Sequence, residues 1–298
     1  MRHLFIKAVA FIIAYTFFTA AVFAGQGKYT AFQVTVTGKG QPIILIPGAS
    51  CSGDEWKETV AHLSGKYQCH VLTLAGYAGT PALANGPYLE TFKTQIKQYI
   101  ADEKLEHVIL IGHSIGGFLS LCIACEMGAP LEKVLAVDAL PFFALTQNPN
   151  ASNTFSETQA QKMLAIYDGM DEKGMMANQM TAAKFLCRDS TRWATIAGWG
   201  AKSDKKTFAY TLTEMMTNDI RKKISSIKVP VLVLAAYCKM PSYPGYTRES
   251  VVKTFTDQYE ACKTCTIHTT DDNARHFIMY DALEWYYAEV DKFLASKP

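Results

Sequence analysis

The stretch Ile109-Leu110-Ile111-Gly112-His113-Ser114-Ile115-Gly116-Gly117 constrains this chain more than any other. An apolar run rich in β-branched residues reads as a buried strand, and a small-residue, apolar, helix-like segment follows it. A chain that passes from strand to helix in so few residues must turn sharply. Gly112 and Gly116 leave room for the turn because they carry no Cβ. The serine between them is held in strained backbone at the tip, the arrangement that offers a hydroxyl to a substrate. Ser114 is therefore the candidate nucleophile.

The flanking sequence repeats the alternation of strand and helix. Residues 32–37 alternate apolar and polar, as an edge strand does, and residues 43–46 form a short apolar run ending at Pro47-Gly48. Residues 54–63 are helix-like, 69–74 read as a strand, and 88–103 form an amphipathic helix with Leu89, Phe92, Ile96, Tyr99 and Ile100 on one face. The run 108–111 leads to the serine, 117–127 is its helix, and 134–137 is a further strand ending at Asp138. Such alternation predicts an α/β fold, a mostly parallel sheet flanked by helices. The rhythm then breaks. Residues 145–224 hold methionine-rich and alanine-rich helical segments (156–170, 171–186 and 206–216 among them) and no strand. The strand at 231–234 resumes the sheet, followed by a helix at 248–259, a strand at 264–268 and a terminal helix at 281–294. The chain thus divides into core segments 25–144 and 225–298 around an inserted helical cap.

Composition limits the function classes. A 298-residue chain that is 49% hydrophobic can bury a large core. Its net charge of +2, with Lys and Arg scattered, excludes a nucleic-acid-binding role. Arg2, His3 and Lys7 precede an apolar run, and Val22-Phe23-Ala24 offers small residues for a signal peptidase. Residues 1–24 are expected to be a signal peptide cut after Ala24, placing the protein outside the cytoplasm, secreted or periplasmic. The apolar stretch 8–24 is short for a span of about 20 residues, so no stable membrane anchor is expected after cleavage. Of the eight cysteines, Cys262 and Cys265 are disulfide candidates, whereas Cys122 and Cys125 read as buried free thiols. The two C-x-x-C pairs lie in segments with different structural duties, so no metal site is expected.

These pieces resemble the α/β-hydrolase fold family, in its serine-hydrolase form with a helical cap. The resemblance rests on Ile46-Pro47-Gly48-Ala49, Ala75-Gly76-Tyr77-Ala78-Gly79-Thr80, Gly112-His113-Ser114-Ile115-Gly116, the strand after Pro230 and Ala274-Arg275-His276-Phe277. It implies a Ser-His-Asp triad with no cofactor. His276 stands where the family's histidine stands, after the last strand and before the terminal helix. The backbone N–H groups of Ala49 and Ile115 match the oxyanion hole. Many family members carry the acid after the strand that here ends near Ala235, but Ala235-Ala236-Tyr237-Cys238-Lys239-Met240-Pro241 has no carboxylate. The alternative position is filled by Asp138, with Asp271 and Asp272 as the fallback. Ser50, Cys51 and Ser52 are either entrance residues or an ordinary polar loop.

The resemblance therefore implies a serine hydrolase, foremost a carboxylic-ester hydrolase for a small or medium apolar substrate, working through an acyl-enzyme. The same triad acting on an amide or peptide, a lactone, a carbon–carbon bond or in perhydrolysis is the alternative, as is a weakly active ligand-binding protein on this scaffold. Chemistry that needs an aspartate nucleophile is disfavoured by Ser114.

Overall fold

The computed structural model describes residues 28–296, apart from 147, 149–150, 152–153 and 241. The signal-peptide reading of residues 1–24 lies outside the described residues. The strands are β1 (Phe32–Thr37), β2 (Gln41–Ile46), β3 (Tyr67–Leu74), β4 (Val108–His113), β5 (Leu131–Val137), β6 (Val231–Ala235) and β7 (Cys265–Thr269). They form one sheet in the order β1-β3-β2-β4-β5-β6-β7. Only the edge pair β1 and β3 is antiparallel. The expected mostly parallel α/β sheet is thus what the chain forms.

The central strands are apolar at almost every position because both faces are covered. Side chains alternate between the faces. Ile44, Ile46, Leu110, Val134, Ala136 and Val233 belong to one hydrophobic cluster. Ile43, Leu45, Ile109, Ile111, Leu135 and Leu234 belong to the other. Helices α2 (Tyr88–Asp102), α3 (Ile115–Glu126) and α8 (Arg248–Tyr259) cover the first face. On α2, Phe92 and Ile96 are fully buried, each contributing roughly 1.5–3 kcal/mol through burial. Helices α1 (Lys57–Leu63), α9 (Ile278–Asp281) and α10 (Leu283–Ala295) cover the second.

Between β5 and β6 lie α4 (Glu157–Asp168), α5 (Glu172–Leu186), α6 (Trp193–Lys202) and α7 (Lys205–Thr217). They pack as two pairs, α4 with α7 and α5 with α6. The hydrophobic pattern did not single out α6, whose run is broken by Gly198 and Gly200. Strand β5 begins three residues before the apolar run suggests. The interruption is Lys133, 1% exposed, whose ammonium donates to the carbonyls of Phe293, Leu294 and Ser296 at the end of α10. A charged side chain inside a strand is tolerated there because three carbonyls at the C-terminal end of α10, where the helix's own N–H donors run out, accept from it.

Cys262 and Cys265 form a disulfide, and Cys122 and Cys125 are free and half-buried. Among the described residues no helix is long and apolar enough to cross a membrane, and no group of His, Cys, Asp or Glu could hold a metal ion.

Candidate active site

Ser114 follows β4 directly and stands at φ 54°, ψ −119°, a backbone conformation costly for any residue with a Cβ. Close packing on both sides maintains it. A Cβ on Gly112 would meet the Gly116 carbonyl oxygen at 2.2 Å, and one on Gly116 would meet the Ile46 carbonyl oxygen at 2.1 Å. The spacing of the two glycines is therefore a steric requirement of this turn. The Ser114 N–H donates to Val137 at 2.9 Å, which ties the turn to the end of β5.

Asp138 is the next residue along from Val137. Its own φ is 45°, another left-handed position held by neighbours: its N–H donates to the Leu234 carbonyl at 2.7 Å. One carboxylate oxygen accepts from the Ala236 N–H at 2.9 Å, and the other lies 2.6 Å from His276 Nδ1. A carboxylate only accepts, so Nδ1 carries the proton and Nε2 is left as the acceptor. The loop after β6, which lacks a carboxylate, contributes an amide that orients the Asp138 side chain just past the end of β5.

The loop bearing His276 is pinned residue by residue. The Ala274 N–H donates to the Tyr237 carbonyl at 3.2 Å and the Arg275 N–H to Asp281 at 2.9 Å. The His276 carbonyl accepts from His113 Nε2 at 3.0 Å, and the Phe277 N–H donates to the Leu186 carbonyl at the end of α5 at 3.3 Å. Asp281 also accepts from the N–H groups of Arg188 and Asp189, so one carboxylate joins this loop to the segment after α5.

The fallback acids lie elsewhere. Asp271 is exposed and paired with Arg248 at 3.0 Å, and Asp272 accepts from the Lys239 N–H. Ile115 is the first residue of α3, so its N–H has no partner within the helix. Ala49 lies half-buried in the loop after β2, next to Ser50 at φ 57°. Cys51 is buried, and Ser52 turns away to cap the 3₁₀ turn Gly53–Trp56 through the Asp54 N–H. A cavity of about 520 Å³ between β1, β3 and this turn is lined by Ser52 and Asp54 and by none of Ser114, Asp138, His276, Ala49 or Ile115.

One part of the site carries little signal in the sequence. His113, between Gly112 and Ser114, is 1% exposed; Glu55, also buried, lies 2.5 Å from its Nδ1. Burial opposes a charge on His113, but the Glu55 carboxylate outweighs it, aided by Asp138 and the His276 carbonyl, and the pKa is raised above the ordinary imidazole value. The available signal was Glu55 between Asp54 and Trp56 in a short turn, and it is weak without a known partner.

Residues 43–289 match the model of the alpha/beta hydrolase family. A pimeloyl-[acyl-carrier protein] methyl ester esterase of Vibrio atlanticus (strain LGP32) is 30% identical over 114 residues, 38% of this chain and 42% of that protein. The Vibrio cholerae serotype O1 protein of that description is 24% identical over 214 residues, 67% of this chain and 76% of its own. Among solved structures, the enol-lactonase from Burkholderia xenovorans LB400 has a TM-score of 0.71 at 18% identity, covering 89% of this chain and 96% of that one. An esterase from Exiguobacterium antarcticum has a TM-score of 0.73 at 15% identity, covering 90% and 98%. At those identities the structural likeness speaks for the fold alone. The family model, spanning most of the chain from β2 into α10, establishes that the chain belongs to the alpha/beta hydrolase family.

Proposed function

We propose that the protein is a serine carboxylic-ester hydrolase acting on a small or medium apolar substrate. The observation that carries this reading is the 2.6 Å contact between His276 Nδ1 and Asp138, beside a serine held at left-handed φ. In the proposed mechanism His276 Nε2 takes the Ser114 hydroxyl proton as the oxygen attacks the ester carbonyl. Asp138 keeps the imidazole in the required tautomer and stabilises the imidazolium. The Ala49 and Ile115 N–H groups receive the negative charge that develops on the carbonyl oxygen. His276 returns the proton to the leaving alcohol, and the acyl-enzyme forms. Water, deprotonated by His276, then releases the acid.

Residues 145–224 would form the roof over Ser114, and their apolar side chains suit an acyl or aromatic group. Several residues of that block pack inward, Met215 and Tyr210 among them, while Met176 and Phe185 remain 40% and 52% exposed. Support for an ester carbonyl comes from the relatives described as methyl ester esterases. The N-terminal residues 1–24 support export from the cytoplasm, which N-terminal sequencing of the mature protein tests.

The decisive experiment is turnover of short p-nitrophenyl esters together with labelling by a fluorophosphonate. The wild type is expected to hydrolyse the ester and to be labelled at Ser114. Ser114→Ala should abolish labelling and lower kcat by about 10⁴- to 10⁶-fold. An unlabelled Ser114 overturns the proposal.

A further inference from the structure

Glu55 carries a buried carboxylate, and burying such a group costs several kcal/mol unless both oxygens find partners. Both do. Oε2 accepts from the Gly48 N–H at 2.8 Å, and Oε1 lies 2.5 Å from His113 Nδ1. Across the ring, His113 Nε2 lies 3.0 Å from the His276 carbonyl oxygen. A carbonyl only accepts, so Nε2 carries a proton. One further proton shared between Nδ1 and Oε1 keeps the pair neutral overall and bonded, whichever atom holds it.

The four groups belong to four different segments. Gly48 is in the loop after β2 that presents the Ala49 N–H. Glu55 is in the 3₁₀ turn, His113 ends β4 one residue before Ser114, and His276 is in the loop before α9. The connection is steric as well as polar. A Cβ on Gly48 would meet His113 Nδ1 at 2.8 Å, so the loop backbone rests on the imidazole. The His113 ring also lies 4.5 Å from the His276 ring and 4.9 Å from the Phe277 ring, centroid to centroid.

We propose that Glu55 and His113 are positioning residues, a buried strut that sets the oxyanion loop at Gly48 and Ala49 in register with the backbone of His276. The inference rests on the serine-hydrolase reading above. The strut passes through the residue that precedes Ser114, and its links are hydrogen bonds made before substrate arrives. It acts on the donor and the base together, which matters because a displacement of about 1 Å at a reacting group can cost 10²-fold in rate. Loss of an oxyanion donor costs about 10²- to 10³-fold.

Substitutions separate the bonds of the strut from its shared proton. In Glu55→Gln the amide oxygen can accept from the Gly48 N–H and the amide NH₂ can donate to a neutral His113 at Nδ1. Every link survives and only the proton shared between carboxylate and imidazole is lost. Glu55→Leu removes both links. His113→Asn keeps a donor toward Glu55 and cuts the tie to His276. The test is steady-state kinetics on a short p-nitrophenyl ester, with thermal melts to confirm that each variant is folded. Turnover and fluorophosphonate labelling of the wild type decide the hydrolase reading first, independently of these variants. Given an active wild type, kcat is expected to fall about 10- to 100-fold in Glu55→Leu and about tenfold in His113→Asn, with KM within twofold. Glu55→Gln should stay within threefold of the wild type in kcat. A Glu55→Leu protein with wild-type kcat overturns the proposal, and so does a Glu55→Gln protein as impaired as Glu55→Leu. Should Glu55→Leu fail to fold, His113→Asn decides, and an unchanged kcat there is equally fatal.

Discussion

Strand β4 buries every one of its residues, whereas α4 buries only Ala160 and α5 only Met175 and Ala183. The same contrast holds for polar groups. Around Ser114 the backbone is tied strand to strand, and residues 274–277 each have a hydrogen bond to a different part of the molecule. In the helical block between β5 and β6, Ile166 is 62% exposed and Phe185 is 52% exposed. The proposed chemistry, which requires sub-ångström placement, would sit on the tightly tied part. The part that would meet a variable substrate is built with apolar surface to spare. A substitution should therefore have a large effect on one side of this divide and a small one on the other.

The largest expected effect is at Asp138. Asp138→Asn should lower kcat by about 10⁴-fold, as loss of a triad carboxylate does when the imidazole takes the wrong tautomer. Asp271→Asn and Asp272→Asn should remain near wild type, because their carboxylates serve Arg248 and the Lys239 N–H. The reverse ranking in ester turnover would move the acid out of the sheet and break the comparison.

A second effect concerns stability in the sheet. His70 lies inside β3, 3% exposed, with Nδ1 2.6 Å from the Tyr99 hydroxyl. Burial lowers its pKa from 6.5 to about 4. Between those values the unfolded chain holds a proton that the folded protein refuses. Stability should therefore fall as pH drops from about 6.5 to about 4 and change no further from this group below that. The loss amounts to about 3 kcal/mol. Urea unfolding at pH 7 and pH 4.5 checks it: His70→Gln should show a smaller drop than wild type, and equal drops would assign the acid sensitivity elsewhere.

The comparison is sharpened by making one substitution in both regions. Gly116→Ala drives a Cβ to 2.1 Å from a backbone oxygen of β2 and should destabilise by about 1–3 kcal/mol or more. Gly198→Ala, in α6 with nothing within 4 Å, should stabilise by roughly 0.5–1 kcal/mol by restricting the unfolded chain. Thermal melts moving in opposite directions are the expected result. The smallest effect is at Phe185, whose ring meets that of Tyr243 near the end of α5. Phe185→Ala should raise KM about two- to fivefold, roughly 0.5–1 kcal/mol, with kcat unchanged. A fall in kcat of tenfold would mean that the helical block positions the reacting groups as firmly as the sheet does.

Much of the architecture was legible because its signals are local. The apolar runs of β2, β4 and β6, the glycines of the turn and the amphipathic face of α2 each identify their element within a few residues. Where the local signal was interrupted, the reading slipped. Lys133 hid the start of β5 because its three carbonyl partners lie at the other end of the chain. Glycines hid α6 because its helicity comes from packing on α5.

The site divides along the same line. From the sequence alone came a strand, a tight turn and a serine between glycines; the Gly112 requirement is local, a clash with the Gly116 carbonyl, whereas the Gly116 requirement comes from Ile46 on the neighbouring strand. The sequence also placed Asp138 ahead of Asp271 and Asp272, but only through its likeness to the family. Tertiary structure brought the Asp138 carboxylate to His276, 138 residues away in the chain, and steadied it with the Ala236 amide. It also joined Glu55 to His113 across 58 residues. Pairings of this kind depend on which strands lie side by side and which loops cross their ends. Hydrogen bonds reach only about 3 Å, so no spacing along the chain encodes them until the sheet has closed.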